Sequence, residues 1–247
     1  MRIRGTLNRA QLSHTRREKV IHKSSIRGVL LDVDGTLYRQ PPLRLRMMLE
    51  LFKFILNHPV QGLKTAYLLR EFRTNRESLR LKVGFQGSLE EIQYSRVATR
   101  MKVPAALVRQ RVREWMLLRP LRFLRLYRRP GIEDFLRKCT DNGIRIGAFS
   151  DYPTREKVEA LGLSPWFKLH LCSTDPEINA FKPSAVGILL ACKKWKLVPK
   201  ELLYVGDRAE IDAVAAAAAG AQFVLVGQQH NYNHFIVKNF FQLAVRL

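Results

Sequence analysis

Residues 28–37 read GVLLDVDGTL, and this stretch decides the fold. Gly28 to Leu31 is a short apolar run that ends in a turn carrying two carboxylates and a glycine. Such a run, bounded by turn signals, reads as a strand buried on both faces, the habit of parallel sheets. Side chains alternate along an extended segment, so Asp32 and Asp34 can point the same way. Ligands of open α/β sheets sit at the carboxyl ends of strands, where this pair falls. Two close carboxylates repel, and the arrangement calls for a cation or a shared proton. Mg²⁺ suits the place, as a hard ion that takes a few carboxylates plus water and phosphate oxygens. Gly35 lets the chain turn. Taken alone, DxDGT also fits an ordinary acidic turn.

Downstream, strand and helix signals alternate. Residues 131–142 read as a helix ended by Asn142-Gly143, and 144–149 as a strand. A helix over 153–161 is closed by Gly162, and a strand follows at 167–172. Pro183 opens a helix over 183–195 at a favourable first-turn position. Then come a strand at 202–205, an Ala-rich helix over 209–219 stopped by Gly220, and a strand at 222–226. This alternation predicts an α/β fold, a parallel sheet with helices on both faces. The last twenty residues, with Phe235, Phe240 and Phe241, are expected to pack on the core. Residues 38–130 show no strand-like alternation. Helices are predicted there over 43–57, 63–82, 88–101 and 104–119, with a Ser88/Glu91 capping box and Pro104 in a first turn. The expected organisation is a basic arm at 1–25, an α/β core at 26–37 and 131–247, and an all-helical insertion at 38–130.

A chain of 247 residues can bury a sizeable core without disulfides or structural metal. The longest apolar stretch, 213–226, is interrupted by Gly220 and Gln222, so no membrane span is expected. The N-terminal segment is basic and lacks an apolar core, which argues against a secretory signal; its Arg-rich composition leaves an organelle presequence open. Cys139, Cys172 and Cys192 are scattered, which reads as reduced and intracellular, and no Cys/His cluster suggests zinc.

The net charge of +22 is regional. Residues 1–27 carry eight Lys/Arg and one acid, and 38–130 carry 21 Lys/Arg and six acids. The remainder is balanced at 14 of each. The basic parts predict an anionic partner: a phosphorylated substrate, an acidic membrane surface or nucleic acid. A solvated helix face is the competing explanation.

Further chemistry follows each successive strand. Ser150, in AFSD, can hold phosphate oxygens together with backbone N–H groups. Lys182, in Phe181-Lys182-Pro183, can neutralise developing charge. Asp207, in Gly206-Asp207-Arg208, can be a second metal carboxylate, with Asp212 early in the following helix. Each feature alone fits a cap, a turn or a surface lysine. Their order at successive strand ends is much less readily a coincidence.

The set resembles the haloacid dehalogenase-like superfamily, in its phosphatase branch. The DxDGT loop at 32–36, Ser150, Lys182 and the GDxxxxD stretch ending at Asp212 correspond to its four motifs. The resemblance covers 28–37 and about 131–227, and the 38–130 segment lies where many members insert a helical cap. It implies a Rossmann-like core and a phosphomonoester hydrolase. Asp32 would be the nucleophile, and Asp34 the general acid and then base. Ser150 and Lys182 would hold the phosphoryl group, with Gly35 and Asp151 beside it. Asp32, Asp34 (through its carbonyl), Asp207 and Asp212 would form the Mg²⁺ site. Asp34 argues against the dehalogenases and ion-pumping ATPases of the superfamily, which lack an Asp there. Asp151 departs from the pattern, standing where many members carry Asn and adding negative charge near phosphate.

Arginines cluster at 39–46, 70–76, 109–113 and 119–129, interleaved with Leu and Phe in the last cluster. They suggest an anionic, lipid or sugar phosphate, or an anionic membrane surface. Nucleic acid ranks behind, since no recognised motif or stacking platform is present. A cytoplasmic enzyme with peripheral membrane association is the expected setting. A phosphosugar mutase and a catalytically silent basic binding module are the alternatives.

Overall fold

The computed structural model describes residues 25–80, 82, 84–227 and 235–245, so residues 1–24 of the basic arm lie outside the described residues. Its centre is a parallel sheet in the order β3-β2-β1-β4-β5-β6. The strands are β1 (Gly28–Leu31), β2 (Arg145–Ser150), β3 (Leu169–Cys172), β4 (Leu202–Gly206), β5 (Gln222–Val226) and β6 (Ile236–Val237). Every residue of β1 and β4 is buried, which explains their unbroken apolar sequences. β1 pairs with β2 on one side and β4 on the other. The chain winds outward from β1 first through β2 and β3, then through β4 to β6. The crevice of such a sheet opens at the carboxyl ends of the central strands.

Between β1 and β2 the described residues form helices joined by loops. Those within 38–130 include α1 (Gln40–Asn57), α2 (Pro59–Arg80), α3 (Leu89–Met101), α4 (Ala105–Val112) and α5 (Leu121–Leu124). The Ser88 hydroxyl caps α3 by accepting from the Glu91 N–H at 3.4 Å. An apolar cluster built on Leu68, Leu69, Phe72, Tyr94, Val97 and Trp115 holds these helices together. Tyr38 and Arg128 form an antiparallel bridge where the insertion leaves and rejoins the core. The core adds α6 (Ile132–Asp141), α7 (Arg155–Ala160), α8 (Val186–Trp195), α9 (Val214–Ala219) and α10 (Phe240–Ala244).

Several expected boundaries shift. The helix read over 183–195 begins at Val186, because Ser184 N–H bonds the Phe181 carbonyl and the intervening turn carries Lys182. Pro183 is therefore not in the helix's first turn. Continuous helices read over 104–119 and 209–219 each contain a wide π segment, Arg113–Leu118 and Ala209–Ala213. In the second, the Asp212 carboxylate reaches back to the Arg208 N–H at 3.0 Å. Phe240 is buried as expected, whereas Phe241 is half exposed: adjacent residues on one helix turn face different ways. The 119–129 run is only in part a free basic face: Arg122 and Arg125 are exposed. Arg119 bonds Glu114, Arg128 bonds Glu133 and the Leu161 carbonyl, and Arg129 bonds the Gly35 carbonyl.

Candidate active site

The sheet brings the sequence-selected residues to one place. Asp32 and Asp34 follow β1, Ser150 ends β2, Asp207 follows β4, and Lys182 enters from the turn before α8. With Asp151 and Asp212 they line a cavity of about 580 Å³ beneath α1 and α2. Gly35, expected beside the phosphate, is not among the residues that line this cavity. A Cβ there would stand 2.0 Å from Asp207 Oδ2, and its φ of +96° favours glycine.

Lys182 Nζ donates to Asp32 Oδ1 at 2.6 Å, to Asp212 Oδ1 at 2.7 Å and to Tyr204 Oη at 3.2 Å. Thr36 Oγ1 donates to Asp32 Oδ2 at 3.0 Å. Asp32, Asp207 and Asp212 offer oxygens within 4.8 Å of one another. One ammonium does not balance three carboxylates. Burial and the Asp212 charge push Asp207 up to about 6. Burial likewise raises Asp32, against Lys182, and the neighbouring carboxylates add to it. Asp207 Oδ1 is buried with no hydrogen-bond partner. A surplus of buried hard oxygens, one unpartnered, fits a small divalent cation.

Asp34 is in the opposite state. Burial would raise its pKa, but the Lys157 ammonium, with hydrogen bonds from Lys157, Tyr38 and Ser150, brings it below the usual carboxylate value. Lys157 Nζ lies 2.6 Å from both Asp34 oxygens. Ser150 Oγ donates to Asp34 Oδ2 at 3.1 Å, and Tyr38 also donates to Asp34. The two carboxylates of DxD are thus driven in opposite directions, the pattern of paired residues with different tasks.

Asp151 is fully engaged. Its carboxylate accepts from Arg80 Nη1 at 2.6 Å, Ser173 Oγ at 2.5 Å and the Lys182 N–H at 3.2 Å. Burial opposes its ionisation, yet Lys182, Arg80 and Arg76 prevail and lower its pKa to about 2. The negative charge is therefore neutralised by Lys182 first and then by Arg80 and Arg76 of α2. Arg80 also donates to the Lys182 carbonyl at 2.6 Å. Arg76 is buried, stacks 3.4 Å from the Tyr152 ring centre and donates to the Asp151 carbonyl.

Lys157, Tyr38, Tyr204 and Arg80 were not singled out by the sequence. Only Tyr38 had a signal, lying two residues past DxDGT. The others reach the site through tertiary packing.

A parallel α/β sheet with three close carboxylates at its carboxyl edge has the make-up of a hydrolase that holds a cation there. The chain belongs to the haloacid dehalogenase-like hydrolases, whose family model matches residues 26–220. A phosphoglycolate phosphatase of Haemophilus influenzae (strain 86-028NP) is 30% identical over 112 residues, 44% of this chain and 48% of its own. The match thus spans about half of that relative. A phosphoglycolate phosphatase of Salmonella choleraesuis (strain SC-B67) is 27% identical over 237 residues, 86% of this chain and 85% of its own. The crystal structure of 2-haloacid dehalogenase from Pseudomonas syringae pv. Tomato DC3000 shares the fold. Its TM-score is 0.63 at 19% identity, covering 90% of this chain and 97% of that one.

Proposed function

We propose that this chain is a Mg²⁺-dependent phosphomonoester hydrolase that works through a phospho-aspartate on Asp32. The opposed environments of Asp32 and Asp34 carry the reading. An Asp32 oxygen attacks phosphorus, the P–O bond to the alcohol breaks, and Asp34 gives the leaving oxygen a proton. Water then attacks the acyl phosphate while Asp34 takes its proton, which frees phosphate and restores Asp32. An arriving phosphate dianion raises the pKa of the Asp34 carboxyl, which lets it hold the proton it donates. A leaving alkoxide needs that proton and a halide does not, so a carboxylate at Asp34 favours phosphoester over haloacid chemistry. Lys182, Ser150 and backbone N–H groups hold the phosphoryl oxygens, and catalysis of this kind is mostly positioning and charge neutralisation. Asp32, Asp207, Asp212 and the Asp34 carbonyl would hold Mg²⁺, which supplies further neutralisation of phosphate charge.

The helical insertion acts as a cap over this site, and its Arg44, Arg70 and Arg73 join Met47, Leu51 and Trp115 on the cavity wall. That lining suits a small phosphorylated substrate whose remainder is anionic, sugar-like or lipid-like. No helix among the described residues is long and apolar enough to cross a membrane. The buried free cysteines fit a reducing compartment, and we place the enzyme in the cytoplasm.

The test is phosphate release from an aryl phosphate and from phosphoglycolate, with and without Mg²⁺, beside Asp32→Asn. Mg²⁺-dependent release that the substitution abolishes supports the reading. Equal release from Asp32→Asn refutes it. Transfer between positions of a sugar phosphate without free phosphate would make the chain a mutase.

A further inference from the structure

We propose that the outward face of α1 and the start of α2 docks on an anionic lipid bilayer. On α1, Leu45, Met48, Leu49, Phe52 and Leu56 form one stripe, and each is 49–66% exposed. Val60, Leu63 and Tyr67 extend it along α2 at 52–67% exposure. The opposite side of α1 is already used: Leu43 lies in the sheet core, and Leu51 and Phe54 pack on the helical cluster. A helix apolar on both sides is normally covered on both, and contiguous exposed apolar surface marks an interaction site. None of the described residues covers this stripe.

Charge selects the occupant. Arg44, Lys53, Lys64 and Arg70 are exposed around the stripe. The one acid between residues 40 and 70 is Glu50, which pairs with Arg46 at 3.1 Å and lies 3.8 Å from Arg122. A second copy of the chain would set two basic collars against each other, which disfavours pairing. The N-terminal arm has the same sign, with seven Lys/Arg and one acid in residues 1–24. A bilayer with acidic headgroups meets both demands: the apolar side chains enter the headgroup boundary while the collar draws the protein in. Arg44, Met48 and Arg70 also line the cavity, so the docked protein holds its cavity mouth at the lipid surface.

The experiment is co-sedimentation of the full chain with vesicles of phosphatidylcholine alone or with about one-third phosphatidylglycerol. Binding at least about tenfold tighter to the acidic vesicles, and weakened by salt, is expected. Leu49→Asp with Phe52→Asp should lower that binding about tenfold or more. Lys53→Glu with Lys64→Glu should remove the preference for acidic lipid. None of these four residues lines the cavity, so thermal melting and aryl phosphate hydrolysis in free solution should stay unchanged in both variants. Vesicle binding and hydrolysis therefore fail independently. Wild-type protein left in the supernatant with both vesicles overturns the proposal, as do variants that bind like wild type. A dimer in sedimentation velocity that the Asp variant dissociates assigns the face to a second copy instead.

Discussion

Replacing Arg80 by Met should destabilise the protein by about 2–3 kcal/mol, and a second change at Asp151 should return most of the loss. The pair is buried, with side chains 8% and 11% exposed and 2.6 Å between charged atoms. Removing one member of such a pair strands the other, which costs about 3–5 kcal/mol in general. Here Lys182 and Arg76 still face Asp151, which trims the figure. The whole environment moves that carboxyl from 3.8 to about 2, worth about 2 kcal/mol at neutral pH. Asp151→Asn keeps an oxygen for the Ser173 hydroxyl or the Lys182 N–H while removing the stranded charge. Urea unfolding of the four proteins at neutral pH gives the double-mutant cycle. A coupling of about 2–3 kcal/mol is expected, and additivity within about 0.5 kcal/mol would refute the reasoning. The pH dependence is a second check. A lowered native pKa gives stability that is complete above the unfolded value of 3.8 and lost as pH falls toward about 2. The difference between wild type and Asp151→Asn should thus be level above pH ~5 and about halved by pH ~3.

Chelation with EDTA should abolish phosphate release and lower the melting temperature, and Mg²⁺ at about 100 times its Kd should return about 2.7 kcal/mol of stability. Unchanged melting with added Mg²⁺ would count against the acidic cluster as its site. Gly35→Ala should lose phosphatase activity and about 1–2 kcal/mol of stability, since a Cβ would meet Asp207 Oδ2 at a positive φ; wild-type kinetics in that variant would sink the argument. Lys157→Met removes the principal cation on Asp34, whose carboxyl pKa should then rise. Because Asp34 acts as the acid in the step that kcat/KM reports, the alkaline limb of kcat/KM against pH should move to higher pH, and an unmoved limb would exclude Lys157 from setting Asp34's ionisation.

The parts of this molecule readable in sequence are those whose cause is local. An apolar tetrapeptide followed by DVDGT marks β1, because a buried parallel strand has one composition along its whole length. The strand ends place Ser150 and Asp207, because parallel strands all deliver their carboxyl ends to one edge, whereas Lys182 comes from the turn before α8. Lys157 carries no such mark. It looks like any helical lysine, and only the packing of α7 sets it 2.6 Å from a carboxylate 123 positions earlier. Arg76 reads as part of a basic face, yet its position on α2 turns it inward onto Tyr152. The two-residue β6 depends on its pairing with β5, which so short a segment does not announce.

Asp151 shows why motif matching alone leaves the site incomplete. Read by itself, a carboxylate beside a phosphate pocket weakens anion binding. In the folded chain that charge is held by Arg80, which donates on to the Lys182 carbonyl. Asp151 follows Ser150, and Ser150 donates to Asp34. A line of contacts therefore runs from α2 through Asp151 to the residue that would move the proton. Displacing α2 from the sheet must expose or strand the Asp151 carboxylate, a cost absent when the position carries a neutral amide. The acid at this position would thus couple the seating of α2 to the order of the loop after β2. Asp151→Asn should loosen that link while leaving Lys182 and Asp32 in place. Hydrogen exchange would show it as faster exchange in α2 with the β1 amides unchanged, and equal protection of α2 in the two proteins would break the argument.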